Sequence, residues 1–176
     1  MLFKTGKSHF LIAVILIGLL QACGFKLRGS VELSSDMSPI YLQQNSVFEL
    51  GREIKSLLIS NKIDFIEDEK SSKAQLVLVK EDKKRRVLSV DSDGRAREYL
   101  LSYNVTFSIK INSAKSAADK QAAEDHISIS RSLLFDPDAV LAVANESEVL
   151  YKDMRRDAAR LILLKLQAMS TKGVTE

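Results

Sequence analysis

The clearest signal along the chain is an alternation. Tyr99, Leu101, Tyr103, Val105, Phe107, Ile109 and Ile111 take every second position, and Leu100, Ser102, Asn104, Thr106, Ser108 and Lys110 fill the places between them. Successive side chains of a strand point to opposite faces, so this pattern predicts a long strand with one buried and one polar face. The alternation resumes beyond the Ala/Lys/Asp-rich stretch from Asn112 to Asp125, with Ile127, Ile129, Leu133 and Phe135 opposed by Ser128, Ser130 and Ser132. Those two strands are expected to pair directly. Upstream, the run from Ala74 to Val79 is β-rich, and Asp93-Gly94 is a tight-turn signal. The chain should therefore run strand, turn, strand, with the charged residues in the distal half of a long hairpin. Shorter strands are expected at Ile40 to Leu42, after Pro39, and around Ile63, Phe65 and Ile66.

Two segments carry the helical period instead. Val47, Leu50, Ile54, Leu57 and Leu58 recur on one helical face, with Ser46 as the expected N-cap and Asn61 near the end. Asp136 and Pro137 stop the last strand, and Asp138 is expected to open a long terminal helix with Leu150, Met154, Ala158, Leu161 and Ile162 as its core stripe. Asn145 is expected to break that helix into a short and a long piece, and Lys165 suits the negative end of its dipole. Together these elements predict an α+β two-layer sandwich, a mixed sheet of about four strands with two helices packed on one face.

The N-terminus has another character. Phe10 to Leu20 is an apolar run preceded by Lys4, Lys7 and His9 and closed by the small residue Ala22. Crossing a bilayer takes about 20 apolar residues, so the order of charge, apolar run and small residue predicts a secretory signal peptide. Leu20, Gln21, Ala22 and Cys23 resemble a bacterial lipobox, which implies cleavage before Cys23 and acylation of that residue; two or more acyl chains anchor a protein stably where one does not. Gly24 in the next position implies delivery to the outer membrane. The expected organisation is a cleaved signal peptide at 1–22, a lipidated tether at 23–38, a single domain at 39–169 and a flexible tail at 170–176.

Composition narrows the chemistry. The chain has 26 basic and 23 acidic residues, and loss of Lys4 and Lys7 with the signal peptide leaves it close to neutral, so any electrostatic function must come from local patches. Cys23 is the only cysteine, and His126 is the only histidine after cleavage. Disulfides, thiol nucleophiles and His- or Cys-built metal sites are nearly excluded. The sequence has no glycine-rich dinucleotide or phosphate loop, no nucleophile elbow and no zinc-protease motif. The expectation is a protein that is not an enzyme, without cofactor or metal and without affinity for nucleic acid.

Two candidate surfaces remain. Lys83, Lys84, Arg85, Arg86, Arg95 and Arg97 flank the hairpin turn; they read either as a solvated, charge-mixed hairpin end that discourages edge aggregation or as an anion site, because arginine forks match phosphate. Ser102, Thr106, Ser108, Ser128, Ser130 and Ser132 share a polar sheet face, which reads either as plain solvated surface or as a contact with another polar wall.

Four strings in order resemble the LPS-assembly lipoprotein family, LptE: "CGFKLRG", "SDGRAREYLLSYNVTFSI", "RSLLFDPDAVLAVANESE" and "LYKDMRRDAARLILLKL". They span nearly the whole mature chain. Leu134 departs from the aromatic of the family's strand-end motif, Asp136 and Pro137 stand one residue closer together, and Ser92 and Val143 occupy places where relatives carry a basic residue. The resemblance implies a plug in the lumen of the β-barrel LptD, one copy per barrel, that helps the barrel fold and takes part in inserting lipopolysaccharide into the outer leaflet. An outer-membrane scaffold or pilot lipoprotein of another envelope assembly is the alternative, sharing the anchor without the glycolipid.

Overall fold

The structure, a computed structural model, describes residues 33–44, 46–112 and 123–172, with the backbone alone at 171 and 172. Cys23, the signal peptide, most of the 112–125 segment and the end of the tail lie outside these residues. The elements run β1 (Ile40–Gln44), α1 (Phe48–Ser60), β2 (Phe65–Ile66), β3 (Ala74–Val90), β4 (Ala96–Ile111), β5 (Glu124–Leu134) and α2 (Val140–Lys172). They form one five-stranded sheet in the order β2-β1-β3-β4-β5. β1 is parallel to both β2 and β3, whereas β3–β4 and β4–β5 are antiparallel.

The predicted class is correct and the strand count is one short. Phe65–Ile66, within the short strand expected around Ile63 to Ile66, pairs with Ile40 and Tyr41 and closes the sheet's short edge. Leu101, Tyr103, Val105, Phe107 and Ile109 of β4 are all buried, together with Leu76 and Leu78 of β3 and Leu133 of β5. Leu50, Ile54 and Leu58 of α1 and Met154, Ala158, Ile162 and Leu166 of α2 meet them from one side. Met37 joins this core and Leu33 packs against it.

Four local expectations need correction. Val47 rather than Ser46 occupies the N-cap of α1, without a side-chain cap, and Glu49 in the first turn supplies the negative charge the helix dipole favours. Asp136 caps the terminal helical segment, its carboxylate accepting from the Asp138 amide at 2.9 Å ahead of a 3-10 turn at Pro137–Ala139. α2 runs unbroken through Asn145, which is exposed; a solvated Asn costs only a few tenths of a kcal/mol in a helix. Leu161 is 45% exposed, and the buried stripe instead follows Val143, Tyr151, Met154, Arg155, Ala158, Ala159, Ile162 and Leu166.

α2 is fastened to its neighbours by polar contacts as well. Arg131 of β5 lies 3.0 Å from Asp157, and Lys165 lies 2.7 Å from Asp125; the Lys165 hydrogen bond holds the Asp125 carboxyl below the usual carboxylate range. Tyr151 donates its hydroxyl to the Lys84 carbonyl at 2.9 Å. Arg155 is buried, paired with Glu49 of α1 and, at 3.6 Å, with Glu81 of β3. Beside this cluster the Tyr103 hydroxyl is buried without a hydrogen-bond partner among the described residues. Burial pushes the Tyr103 phenol far above its usual value, and the Glu81 charge adds to the shift while Arg155 offsets part of it.

Two predictions follow from this packing. Phe107→Ala should lower the unfolding free energy by about 3–5 kcal/mol, the range for emptying a buried aromatic site, whereas Ser130→Ala on the open face should change it by less than about 0.5 kcal/mol; urea denaturation followed by circular dichroism checks both. Tyr103 resists ionisation when folded, so its contribution is complete below the ordinary tyrosine pKa of about 10 and declines as pH rises beyond it. Tyr103→Phe should flatten that alkaline loss in denaturation midpoints measured between roughly pH 8 and 11.

Candidate functional site

Alternation splits the basic run of β3 between two faces. Lys84 stands opposite Ser102 and Arg86 opposite Leu100, on the face away from the helices, while Lys83 opposite Tyr103 and Arg85 opposite Leu101 take the helix side. A register shift at Val79 sets this parity: even-numbered residues face the core before it and odd-numbered residues after it. The same shift carries Glu81 to Arg155.

All six basic candidates are exposed, but they are engaged to different degrees. Arg85 stacks over the Tyr99 ring at 4.8 Å, and Lys83 lies 5.3 Å from the Tyr151 ring centroid. Such contacts hold a cation in place and leave its outer side open to an anion. Lys84 pairs with Asp82 at 3.2 Å. Arg95 is held within its own turn, 3.3 Å from Asp91 and in direct contact with Asp93. That turn is built around Gly94 at a φ of 78°, with Asp91 accepting from the amides of Asp93 and Arg95 at 2.9 Å. Arg86 and Arg97 make no ion pair among the described residues. These two, rather than Arg95, have their charge available for a ligand.

The sequence reading missed an apolar component at the same end. Val87, Leu88 and Val90 of β3, Leu134 at the end of β5, and Val140 and Leu141 at the start of α2 are exposed, Leu141 by 77%. Pairing of Val87 with Tyr99, Tyr99 with Leu133 and Glu98 with Leu134 brings the strand residues to the distal end, next to Arg86 and Arg97. Ser92 is exposed at the turn and Val143 is buried in α2. The available signal was the apolar triplet breaking into a charged run, which alternation analysis passes over because the register shifts again between Val87 and Val90.

The hydroxyl face forms as predicted in position, and its groups are engaged with one another. Ser102 and Ser130 are 3.1 Å apart across the β4–β5 pair, Ser128 donates to Asn104 at 2.8 Å, and Thr106 meets His126 Nδ1 at 3.0 Å. Asn104 and His126 therefore belong to the ladder although they were not singled out. Ser132 is exposed opposite Leu100, while Ser108 is buried between Val77 and Glu124. Both helices lie on the opposite face, so this wall is uncovered among the described residues. A shallow recess lined by Ser46, Phe48, Glu49, Glu81 and Lys83 opens beside the start of α1; both of its acids are committed to Arg155.

Comparison with known proteins agrees with this architecture. The sequence profile described as LptE, lipopolysaccharide-assembly, matches residues 37–166. "LPS-assembly lipoprotein LptE" of Photorhabdus laumondii is 26% identical over 160 residues, covering 88% of this chain and 85% of its own. The protein of the same name from Yersinia pestis is 24% identical over 161 residues, covering 88% of this chain and 75% of its own. Among solved structures, lipoprotein B from Nitrosomonas europaea superposes with a TM-score of 0.69 at 30% identity, covering 86% of this chain and 95% of its own. Rare lipoprotein B from Shewanella oneidensis gives 0.66 at 27%, covering 78% and 98%. With the profile match running from Met37 in the core through the hairpin to Leu166 of α2, the chain belongs to the LptE lipopolysaccharide-assembly family.

Proposed function

We propose that this chain is a non-enzymatic lipoprotein of the outer membrane that serves as plug and folding partner of an LptD-type β-barrel, one copy per barrel, and binds lipopolysaccharide directly at the distal end of the β3–β4 hairpin. The observation that carries the ligand is that the distal end of the hairpin holds both available arginines, Arg86 and Arg97, and exposed apolar side chains. A phosphorylated amphiphile asks for both: a guanidinium fork for phosphate and apolar surface for acyl chains, at roughly 25 cal/mol per Å2 buried. Arg86 and Arg97 supply the first, and Leu88, Val90 and Leu134 the second.

The open face of the sheet supports the barrel reading. A barrel interior is polar and wet, and a wall of short hydroxyls and amides meets such a surface without burying long charged side chains. Cys23 carries the lipid, and the residues after it lead from the membrane to a domain whose core already includes Met37 and whose last helix runs to Lys172. The domain's open wall faces the barrel lumen, and its hairpin end faces the substrate.

The decisive experiment is purification through a C-terminal tag from outer membrane in mild detergent, with the stoichiometric partners identified by mass spectrometry. A large barrel protein at one-to-one with retained lipopolysaccharide is expected; recovery of the chain alone, or with a secretin, overturns the reading. In the purified protein, Arg86→Glu with Arg97→Glu should weaken lipopolysaccharide binding by about tenfold or more, and Arg95→Ala should weaken it less, since Asp91 and Asp93 already occupy that guanidinium. Equal binding by all three proteins in a surface-plasmon-resonance titration removes the hairpin end as the site.

A further inference from the structure

The sheet has two unequal edges. On one side it ends in β2, only Phe65–Ile66, which offers little backbone to a partner. Where β3 runs on past its pairing with β1, its free outer half carries the run from Lys80 to Arg86 and two further register shifts, the devices by which proteins protect exposed edges. β5 has neither. It pairs with β4 without a register shift from Glu124 to Leu134, has no proline, and among the described residues leaves its outer backbone edge unpaired.

We propose that this edge pairs, antiparallel and two-fold, with β5 of a second copy of the chain. The register that places Ser128 opposite its own counterpart is selected by side-chain chemistry. Keeping the core and polar faces continuous requires odd positions to meet odd positions. Within that set, centring on Ser128 sets Asp125 against Arg131 of the second copy, twice by symmetry, Ile127 against Ile129, and His126 against Ser130. Centring on Ile129 would set Asp125 against Leu133 and Arg131 against Ile127, and centring on Ile127 would set Asp125 against Ile129, each leaving both charges without a complement.

The chosen register also extends what each copy already holds. Asp125 lies against Lys165 and Arg131 against Asp157 within one chain, so the join lays down an alternating row: Lys165, Asp125, then Arg131 and Asp157 of the second copy. Ile127 and Ile129 are only partly buried at the free edge, and each would be covered by its opposite number. The hydroxyl ladder from Ser102 and Asn104 to Ser130 and Ser128 would run on across the boundary. This pairing does not rest on the proposed function; a barrel that takes one copy would draw it from the pair.

Sedimentation equilibrium of the purified full-length lipoprotein in mild detergent, over a range of protein concentrations, tests the proposal. A concentration-dependent dimer is expected. Asp125→Arg or Arg131→Asp alone brings like charges together at both symmetric sites and should weaken dimerisation by about tenfold or more. The double swap restores the cross-copy pairs, although it leaves the within-chain partners Lys165 and Asp157 facing like charges, and should recover the dimer. Circular dichroism checks that each variant is folded. Ser128→Cys should form an interchain disulfide on mild oxidation, well ahead of Ser132→Cys, which faces Glu124 in this register. A chain that stays monomeric throughout, a double swap no better than the single ones, or equal crosslinking at 128 and 132 overturns the proposal.

Discussion

The architecture depends on one constraint: only one face of β4 can lose water. Its odd positions from Leu101 to Ile109 are apolar and buried, and its even positions are small polar groups that hydrogen-bond along the face. A slip of one residue against β3 or β5 would exchange the two sets. The register is fixed by that penalty, and both helices are confined to the apolar side. Among the described residues the five-stranded sheet is consequently a wall with one covered and one open surface, the geometry a protein needs when its second surface is to meet something else.

The Val79 bulge is the second determinant, because it decides which charges of β3 reach the interior. Without it Lys80, Asp82, Lys84 and Arg86 would point at the helices, and Glu81 would point away. With it Glu81 meets Arg155, which also pairs with Glu49 and so joins hairpin, α1 and α2 at one point. A buried guanidinium is costly unless its charge is matched; the match here is to carboxylates from two different elements, so the ion pairs specify how those elements are placed rather than adding much net stability. The same bulge leaves Arg86 on the open face, clear of that network.

Legibility in the sequence followed the strength of the period. β4 and β5 were evident because their alternation is sustained, and α1 because its apolar residues recur on one helical face. What escaped was what no period encodes. Phe65–Ile66 was expected as a short strand, but nothing in its residues shows that it pairs with Ile40 and Tyr41. A run in which nearly every residue is charged cannot show which of its members face inward, so the division of Lys83 and Arg85 from Lys84 and Arg86 appeared only with the register. Leu161 looked like core because it falls near the helical stripe, but a helix touching a flat sheet buries a narrower band than its composition permits. The pairing of Arg95 with Asp91 and Asp93 likewise depended on turn geometry, although all three residues stand within five positions of one another.

The proposed role asks one small domain to serve both a protein wall and a lipid. The two demands conflict, since a surface that binds acyl chains is apolar and exposed, and one that lines a wet lumen must be polar. The fold separates them along the length of the hairpin. Near the sheet's centre the open face carries Ser102, Asn104, Thr106, Ser128 and Ser130, already hydrogen-bonded to one another or to His126, so that contact with water or a polar wall costs little desolvation. At the distal end the strands outrun β1 and most of the core, and there Val87, Leu88, Val90 and Leu134 are exposed beside arginines braced on aromatic rings or left free. A hairpin is suited to this division because β1 joins only its base, at Ala74 to Leu78, and β5 follows it no further than Glu98, so the end beyond can carry side chains that would be unfavourable anywhere the core has to close.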